Sequence, residues 1–383
     1  QQGADYNGIL DNIISAPLLA LFGPAPWLLG LLPLLYSLAF MAAMYLLLGE
    51  LFSPAGRLLG LFYLAAPPAF ALLWAGEGRV YYGLALAMCT LVLWATLKLW
   101  RAPRWGFWRS LGYGFLCGLT VYNFFRSALV VGPCVLFLAL FAGARFWGGA
   151  IVPLALGGLA GFWPVIVYVL NHGPPMTYTN KMPLADPYSL STIKERLFCI
   201  FSKGLPVVLG LPVQNHGPGL ITTVHLAWRV VYALMAAGLG LALAGLAWRG
   251  RRKEHRVLLV LPLMAAGIIL APLASGLKLK LCFLDPRFML LMYVLLPLAV
   301  AWWAEAAGRA KAWAPLALGI LLAGLHLAAY PGFQGFWGEP LLACKKGQAY
   351  QLMPALKKKA TAWQKAGFKN IYTHDIHAGG RKA

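Results

Sequence analysis

The stretch Trp27–Leu48, WLLGLLPLLYSLAFMAAMYLLL, runs for 22 residues without a charged side chain. About 20 such residues cross the hydrocarbon core of a bilayer as a helix. Similar apolar runs recur at 58–75, 80–99, 110–122, 127–143, 148–170, 222–247, 257–275, 288–304 and 313–330. Across the 383 residues, 61% are hydrophobic and 11% charged, with a mean hydropathy of +0.71. Soluble domains sit near 45–50% apolar and about 25% charged, so a soluble globular chain is excluded. The expected fold is an all-α polytopic membrane protein with about nine or ten transmembrane helices plus interfacial ones. The segments 110–122 and 127–143 are short and are joined by Asn123-Phe124-Phe125-Arg126. They read equally as two tilted spans or as one re-entrant hairpin.

The charge balance then orients the bundle. There are 32 Lys and Arg against 11 Asp and Glu, a net charge of +21. In a membrane protein this excess points to cytoplasmic loops and anionic lipid before nucleic acid, and no nucleic-acid partner is expected. Thirteen basic residues fall in five short alternating loops: Arg57; Lys98, Arg101, Arg104 and Arg109; Arg145; Arg249, Arg251, Arg252, Lys253 and Arg256; Arg309 and Lys311. These loops are expected on the cytoplasmic side. The opposite side then receives the longer segments, where function is to be sought. Three parts follow: 1–26 as an outer interfacial helix and loop, with 7–22 too short to span; 27–330 as the bundle with its outer loop 171–221; and 331–383 as an extracytoplasmic C-terminal segment. The last part carries an amphipathic stretch, Leu352–Phe368, and reads as the opening of a small α/β domain that is incomplete. The start at Gln1 likewise suggests a fragment, or numbering that begins inside a longer protein.

Charges near a bilayer are costly and tend to be functional. On the outer side they gather at span ends: Glu77 with Arg79, Arg126, Lys278 with Lys280, and Asp285 with Arg287. Several cations at one membrane face suit an anionic headgroup such as a polyprenyl phosphate, although snorkelling towards lipid explains any single one of them. Tyr81 and Tyr82 open a span beside Glu77 and Arg79, where tyrosine also serves as an ordinary interfacial anchor. Pro286 holds Asp285 extended, which suits a helix cap as well as a site residue. The loop 171–221 contributes His172, Asp186, Lys194, Glu195, Arg196, Lys203 and His216. The six cysteines (89, 117, 134, 199, 282, 344) show no CxxC and no metal spacing, and read as small core side chains. His374-Asp375-Ile376-His377 is a weak metal signal, so no cofactor is assigned and a divalent metal is left open. No P-loop, dinucleotide fingerprint or nucleophile elbow occurs.

Five stretches, in chain order, resemble bacterial polytopic glycosyltransferases of the GT-C superfamily, related to protein O-mannosyltransferases and aminoarabinose transferases. They are Asp5–Asp11 continuing into Ala16–Pro24; Ala66-Pro67-Pro68-Ala69-Phe70 followed by Gly78–Tyr82; Leu205–Gly210; Asp285-Pro286-Arg287-Phe288; and Ala366–Tyr372. The resemblance implies a GT-C type fold in a bacterial inner membrane and a polyprenyl-phosphate sugar donor. It also implies an acceptor hydroxyl at the outer face and a loop carboxylate as general base. Asp11, and after it Asp5, are the carboxylates carried over. Asp11 stands where relatives show Glu, and Arg79-Val80-Tyr81-Tyr82 departs from their "RGGY". The phosphate candidates are Arg287 foremost, then Arg79, Arg126, Lys280 and Lys278, with Glu77, Tyr81, Tyr82, Asp285 and His172 as accompanying site residues. The competing readings are a transporter or lipid flippase without chemistry, and a membrane scaffold. Ion-coupled transporters place ionisable groups inside spans and break helices at mid-depth. Here His326 is the clearest ionisable residue within a span, and the charges otherwise keep to one face.

Overall fold

The computed structural model describes residues 10–23, 26–76, 81–172, 190–214, 223–224, 226–274 and 286–330. In chain order the helices are α1 (Leu10–Phe22), α2 (Pro26–Leu51), α3 (Pro54–Ala65), α4 (Ala69–Gly76), α5 (Tyr81–Arg101), α6 (Phe107–Asn123) and α7 (Ala128–Phe141). They continue as α8 (Ile151–His172), α9 (Leu190–Cys199), α10 (Leu205–Val208), α11 (Leu226–Arg249), α12 (Val260–Ala274), α13 (Leu296–Ala310) and α14 (Ala314–Ala329). Short 3-10 stretches at Lys253–Leu259 and Pro286–Val294 lead into α12 and towards α13. The β structure among the described residues is one two-residue antiparallel ladder, Val213 opposite Val224 and Gln214 opposite Thr223.

Among the described residues six helical stretches are long and apolar enough to cross a bilayer: Leu31–Leu51, Tyr82–Arg101, Phe146–Asn171, Trp228–Arg249, Lys253–Leu273 and Met289–Ala310. The other expected spans form shorter helices. The segment 58–75 is broken by Ala66-Pro67-Pro68 into α3 and α4, because two prolines in sequence remove successive backbone donors. Burial separates centre from periphery. The Met289–Ala310 stretch is 78% buried, against 22% for Phe146–Asn171 and 17% for Trp228–Arg249, whose faces carry exposed Leu and Val.

The five basic loops share one end of the bundle, as their charge pattern predicts. Lys98 and Arg101 both pair with Glu50, the latter at 2.8 Å. Arg249 pairs with Glu305 at 3.1 Å, and Glu305 also accepts from Ser53 N at 2.7 Å at the start of α3. Trp100 Nε1 donates to Lys253 O (2.9 Å), and Arg145 Nη1 donates to Ala102 O (3.0 Å). At the far end of α5, Tyr82 meets Phe124 just past α6, ring centroids 5.6 Å apart and nearly perpendicular. α6 therefore covers the depth of α5, and α7 returns to the basic end at Arg145. The two-span reading of 110–143 fits this better than a re-entrant hairpin.

The closest packing lies between α6 and α8. Gly114 and Gly118 face Gly157 and Gly161. A Cβ on Gly118 would stand 3.0 Å from Phe162 N, one on Gly157 2.8 Å from Phe115 N, and all four would press into a backbone carbonyl of the facing helix. Small residues four apart let transmembrane backbones touch where no hydrophobic force draws helices together.

Candidate functional site

At the end opposite the basic loops, several elements converge. α1 packs against α2 and α5, which brings the helix bearing Asp11 and the buried Ser15 to the bundle. Gly83 of α5 is set against Tyr36 of α2. The corner between α6 and α7 buries Asn123 and Ser127 completely and leaves Arg126 half-buried. Buried polar groups in a bilayer protein are retained at a cost and mark structural or functional use.

Of the residues singled out in the sequence, Tyr82 and Arg126 are fully described and lie at this same end. Asp11, Tyr81, His172 and Arg287 lie on helical stretches, of which the backbone alone is described. Asp5, Glu77, Arg79, Lys278, Lys280 and Asp285 lie outside the described residues, as do the tail 331–383 and its His374 and His377. Among the described residues no group of three or more His, Cys, Asp or Glu could hold a metal ion.

Arg196 of α9 was singled out in the sequence only as one charge in a long loop. It is fully buried, and its guanidinium donates to Leu273 O in the last turn of α12 at 2.5 Å. The last four carbonyls of a helix have no partner within it, and a cation there also favours the helix dipole. Arg196 therefore clamps α9 to the end of α12. The pattern Lys194-Glu195-Arg196 gives no hint of which charge turns inward.

Cys199, one turn further along α9, is fully buried and disulfide-bonded, with its partner outside the described residues. This corrects the reading of the cysteines as core side chains alone. Pairing is decided by Cα separation in space, which spacing along the chain does not give. Cys89, Cys117 and Cys134 are buried and free, as that reading has them. Alkylation of the unfolded, unreduced protein is expected to leave Cys199 unmodified, and reduction should add one label there. A Cys199 peptide labelled without reductant would remove the disulfide.

Two of the stretches quoted above, 66–70 and 205–210, meet at one buried junction, joined there by His326, Tyr330 and Tyr293. The break at Ala66-Pro67-Pro68 leaves carbonyls without helical partners. His326 Nδ1 donates to Ala66 O (2.7 Å), and Tyr330 OH donates to Pro67 O (2.5 Å). Gly210, at φ +84°, lets the turn after α10 lie against Pro68, since a Cβ would stand 2.7 Å from Pro68 Cβ. Tyr293, seven residues beyond Pro286, donates to Val208 O (2.9 Å) and stacks near Phe70, centroids 6.5 Å apart. Irregular backbone at membrane depth persists only where protein satisfies it in this way. His326 thus serves the break itself. Its Nε2 has no hydrogen-bond partner among the described residues, and the same holds for the buried hydroxyl of Tyr63, whose ring lies edge-on to it.

Long apolar helices crossing in one bundle, with every described basic loop at one end, define a multi-pass helical membrane protein. Comparison with family models, curated proteins and solved structures found no match to this chain.

Proposed function

We propose that this chain is a membrane glycosyltransferase of the GT-C type, moving a sugar from a polyprenyl-phosphate donor to an acceptor hydroxyl at the outer face of a bacterial cytoplasmic membrane. The observation that carries the reading is the junction of residues 66–70 and 205–210, on which Tyr293 also packs. These are two of the stretches on which the resemblance rests, and they pack on one another although more than a hundred residues separate them. Two features support the orientation. The basic loops all lie at one end, which favours the cytoplasm for that end. The disulfide at Cys199 belongs in an oxidising compartment, and α9 is held at the other end of α12.

The reaction asks for little covalent work from the protein. The acceptor oxygen attacks the anomeric carbon, the bond to the phosphate oxygen breaks, and the acceptor proton passes to a carboxylate, for which Asp11 is the candidate. The phosphate leaves with the bonding electrons, and cations stabilise the charge that develops on it. Arg287, Arg79, Arg126, Lys280 and Lys278 are the candidates for that role, with Glu77, Tyr81, Tyr82, Asp285 and His172 around them.

The test is transfer of labelled sugar from a purified polyprenyl-phosphate sugar by the detergent-solubilised protein. A charge-assisted hydrogen bond to phosphate is worth about 1.5–3 kcal/mol, so Arg287→Ala is expected to raise donor KM by about tenfold or more. Unchanged donor KM would remove Arg287 from the site, and no transfer to any lipid, glycan or protein hydroxyl would remove the enzyme.

One observation favours the second reading, a transporter or flippase. The break between α3 and α4 follows a 12-residue helix from the basic end, about 18 Å into the bilayer at 1.5 Å per residue, and is bonded by His326. Discontinuous helices at such depth carry substrate in transporters. Lipid scrambling or solute uptake by proteoliposomes without sugar transfer would decide for it.

A further inference from the structure

Between α5 and α6, at the basic end and away from the junction above, a cleft of about 430 Å³ opens to the surface. Its floor is the ring of Tyr113, whose hydroxyl is already hydrogen-bonded to Thr96 Oγ1 at 2.9 Å. Its walls are the indoles of Trp94 and Trp108 and the cations Lys98 and Arg109, and among the described residues no acidic one lines it. Lys98 Nζ lies 5.8 Å from the centre of the Trp94 ring and reaches Glu50 from the rim. Arg109 is exposed and makes no hydrogen bond or ion pair among the described residues. Trp108 is 77% exposed at the head of α6, with Phe107 beside it, and Phe115 is exposed two turns further into the bundle.

We infer that this cleft binds the headgroup phosphate of one anionic glycerophospholipid from the leaflet at the basic end. Two cations from neighbouring helices line a space of headgroup size, Lys98 while paired with Glu50 and Arg109 with no such partner among the described residues. The indoles match the level at which tryptophan meets lipid headgroups, and basic pockets between helices at this membrane face suit such headgroups. Membrane lipid is the favoured source of the phosphate because the cleft continues into apolar surface. Its inner wall ends at Leu116, and exposed Phe115 prolongs that surface along α6, so acyl chains have a path that a free anion does not use. The site is independent of the sugar-transfer reading and stands or falls apart from it.

The experiment uses the full chain in mild detergent, with bound lipid counted by native mass spectrometry. Phosphatidylglycerol, phosphatidylcholine with the same acyl chains, and inorganic phosphate are titrated separately. One phosphatidylglycerol is expected to be held several-fold more tightly than phosphatidylcholine. Arg109→Glu is expected to weaken phosphatidylglycerol about tenfold or more and Arg109→Lys to preserve it, since a point charge suffices near the membrane surface. Gly112→Leu fills the cleft from a position with open space around its Cβ, so it should fold and lose the lipid. Equal retention of the two lipids, or full phosphatidylglycerol binding by both Arg109→Glu and Gly112→Leu, would overturn the inference. Displacement of the lipid by millimolar inorganic phosphate would assign the cleft to a soluble anion and overturn it as well.

Discussion

Gly157→Leu is expected to keep α6 and α8 from closing on each other, and with them the α6–α7 corner from reaching Tyr82. At Gly157 an added Cβ meets Leu111 O and lies 2.8 Å from Phe115 N. Those atoms are backbone, so no rotamer relieves the clash and the helices must separate. Separation forfeits the contacts at Gly114, Gly118 and Gly161 together, including Cα–H···O contacts worth about 0.5–1 kcal/mol each. Overpacking alone costs about 1–3 kcal/mol for an added methylene or two, which sets the expectation for Gly157→Ala. Leucine at 157 goes further and should abolish the folded state. Gly158, one position along, is the internal control. A Cβ there comes no nearer than 3.8 Å to Gly114 O, so Gly158→Ala should change stability by less than about 0.5 kcal/mol. Thermal unfolding of the three variants in one detergent checks this. Equal loss at 157 and 158 would mean that helix propensity, not the approach of the backbones, sets the cost.

That contact shows where sequence reading stops. Apolar runs and basic loops report partition between water and lipid, which acts on each segment by itself, so the membrane class and the common end of the basic loops were both legible. The break inside 58–75 carried its signal in Pro67 and Pro68. What stayed hidden depends on which faces meet. Gly114, Gly118, Gly157 and Gly161 carry small-residue spacing, yet 42 glycines are spread through the chain and the spacing alone does not name a partner. Arg196 stood out only as one of several charges in a long loop, and its burial rests on Leu273 O at the end of α12. His326 stood out as an ionisable residue in a span. Its use, holding Ala66 O, joins residues 260 positions apart. At the candidate site, the sequence placed Tyr82 and Arg126 at the same end of the bundle through the alternation of loops, and the packing of Tyr82 on Phe124 agrees.

Asp11→Asn distinguishes a catalytic carboxylate from a structural one by size of effect. Asp11 is the second residue of α1, within the first turn of that helix. A carboxylate there is stabilised by the unpaired N–H groups and the helix dipole, an effect of about 0.3–1 kcal/mol. Asparagine keeps the shape and loses the charge and the proton-accepting oxygen. If Asp11 only steadies α1, the change costs that much stability and leaves sugar transfer within about fivefold of normal. A general base contributes about 10²–10⁴-fold, which is about 2.7–5.5 kcal/mol of barrier, more than the dipole effect can supply. On the transferase reading Asp11→Asn is therefore expected to lower kcat at least a hundredfold, with donor KM little changed. The limb of the kcat profile in which activity rises with pH, as the carboxylate loses its proton, should disappear with it. Asp5→Asn is the companion variant. A hundredfold loss there, with Asp11→Asn near normal, would move the base to Asp5. Normal transfer by both would leave this end of the bundle without a general base from the N-terminal segment. The proton would then have to leave the acceptor by a route that neither carboxylate serves.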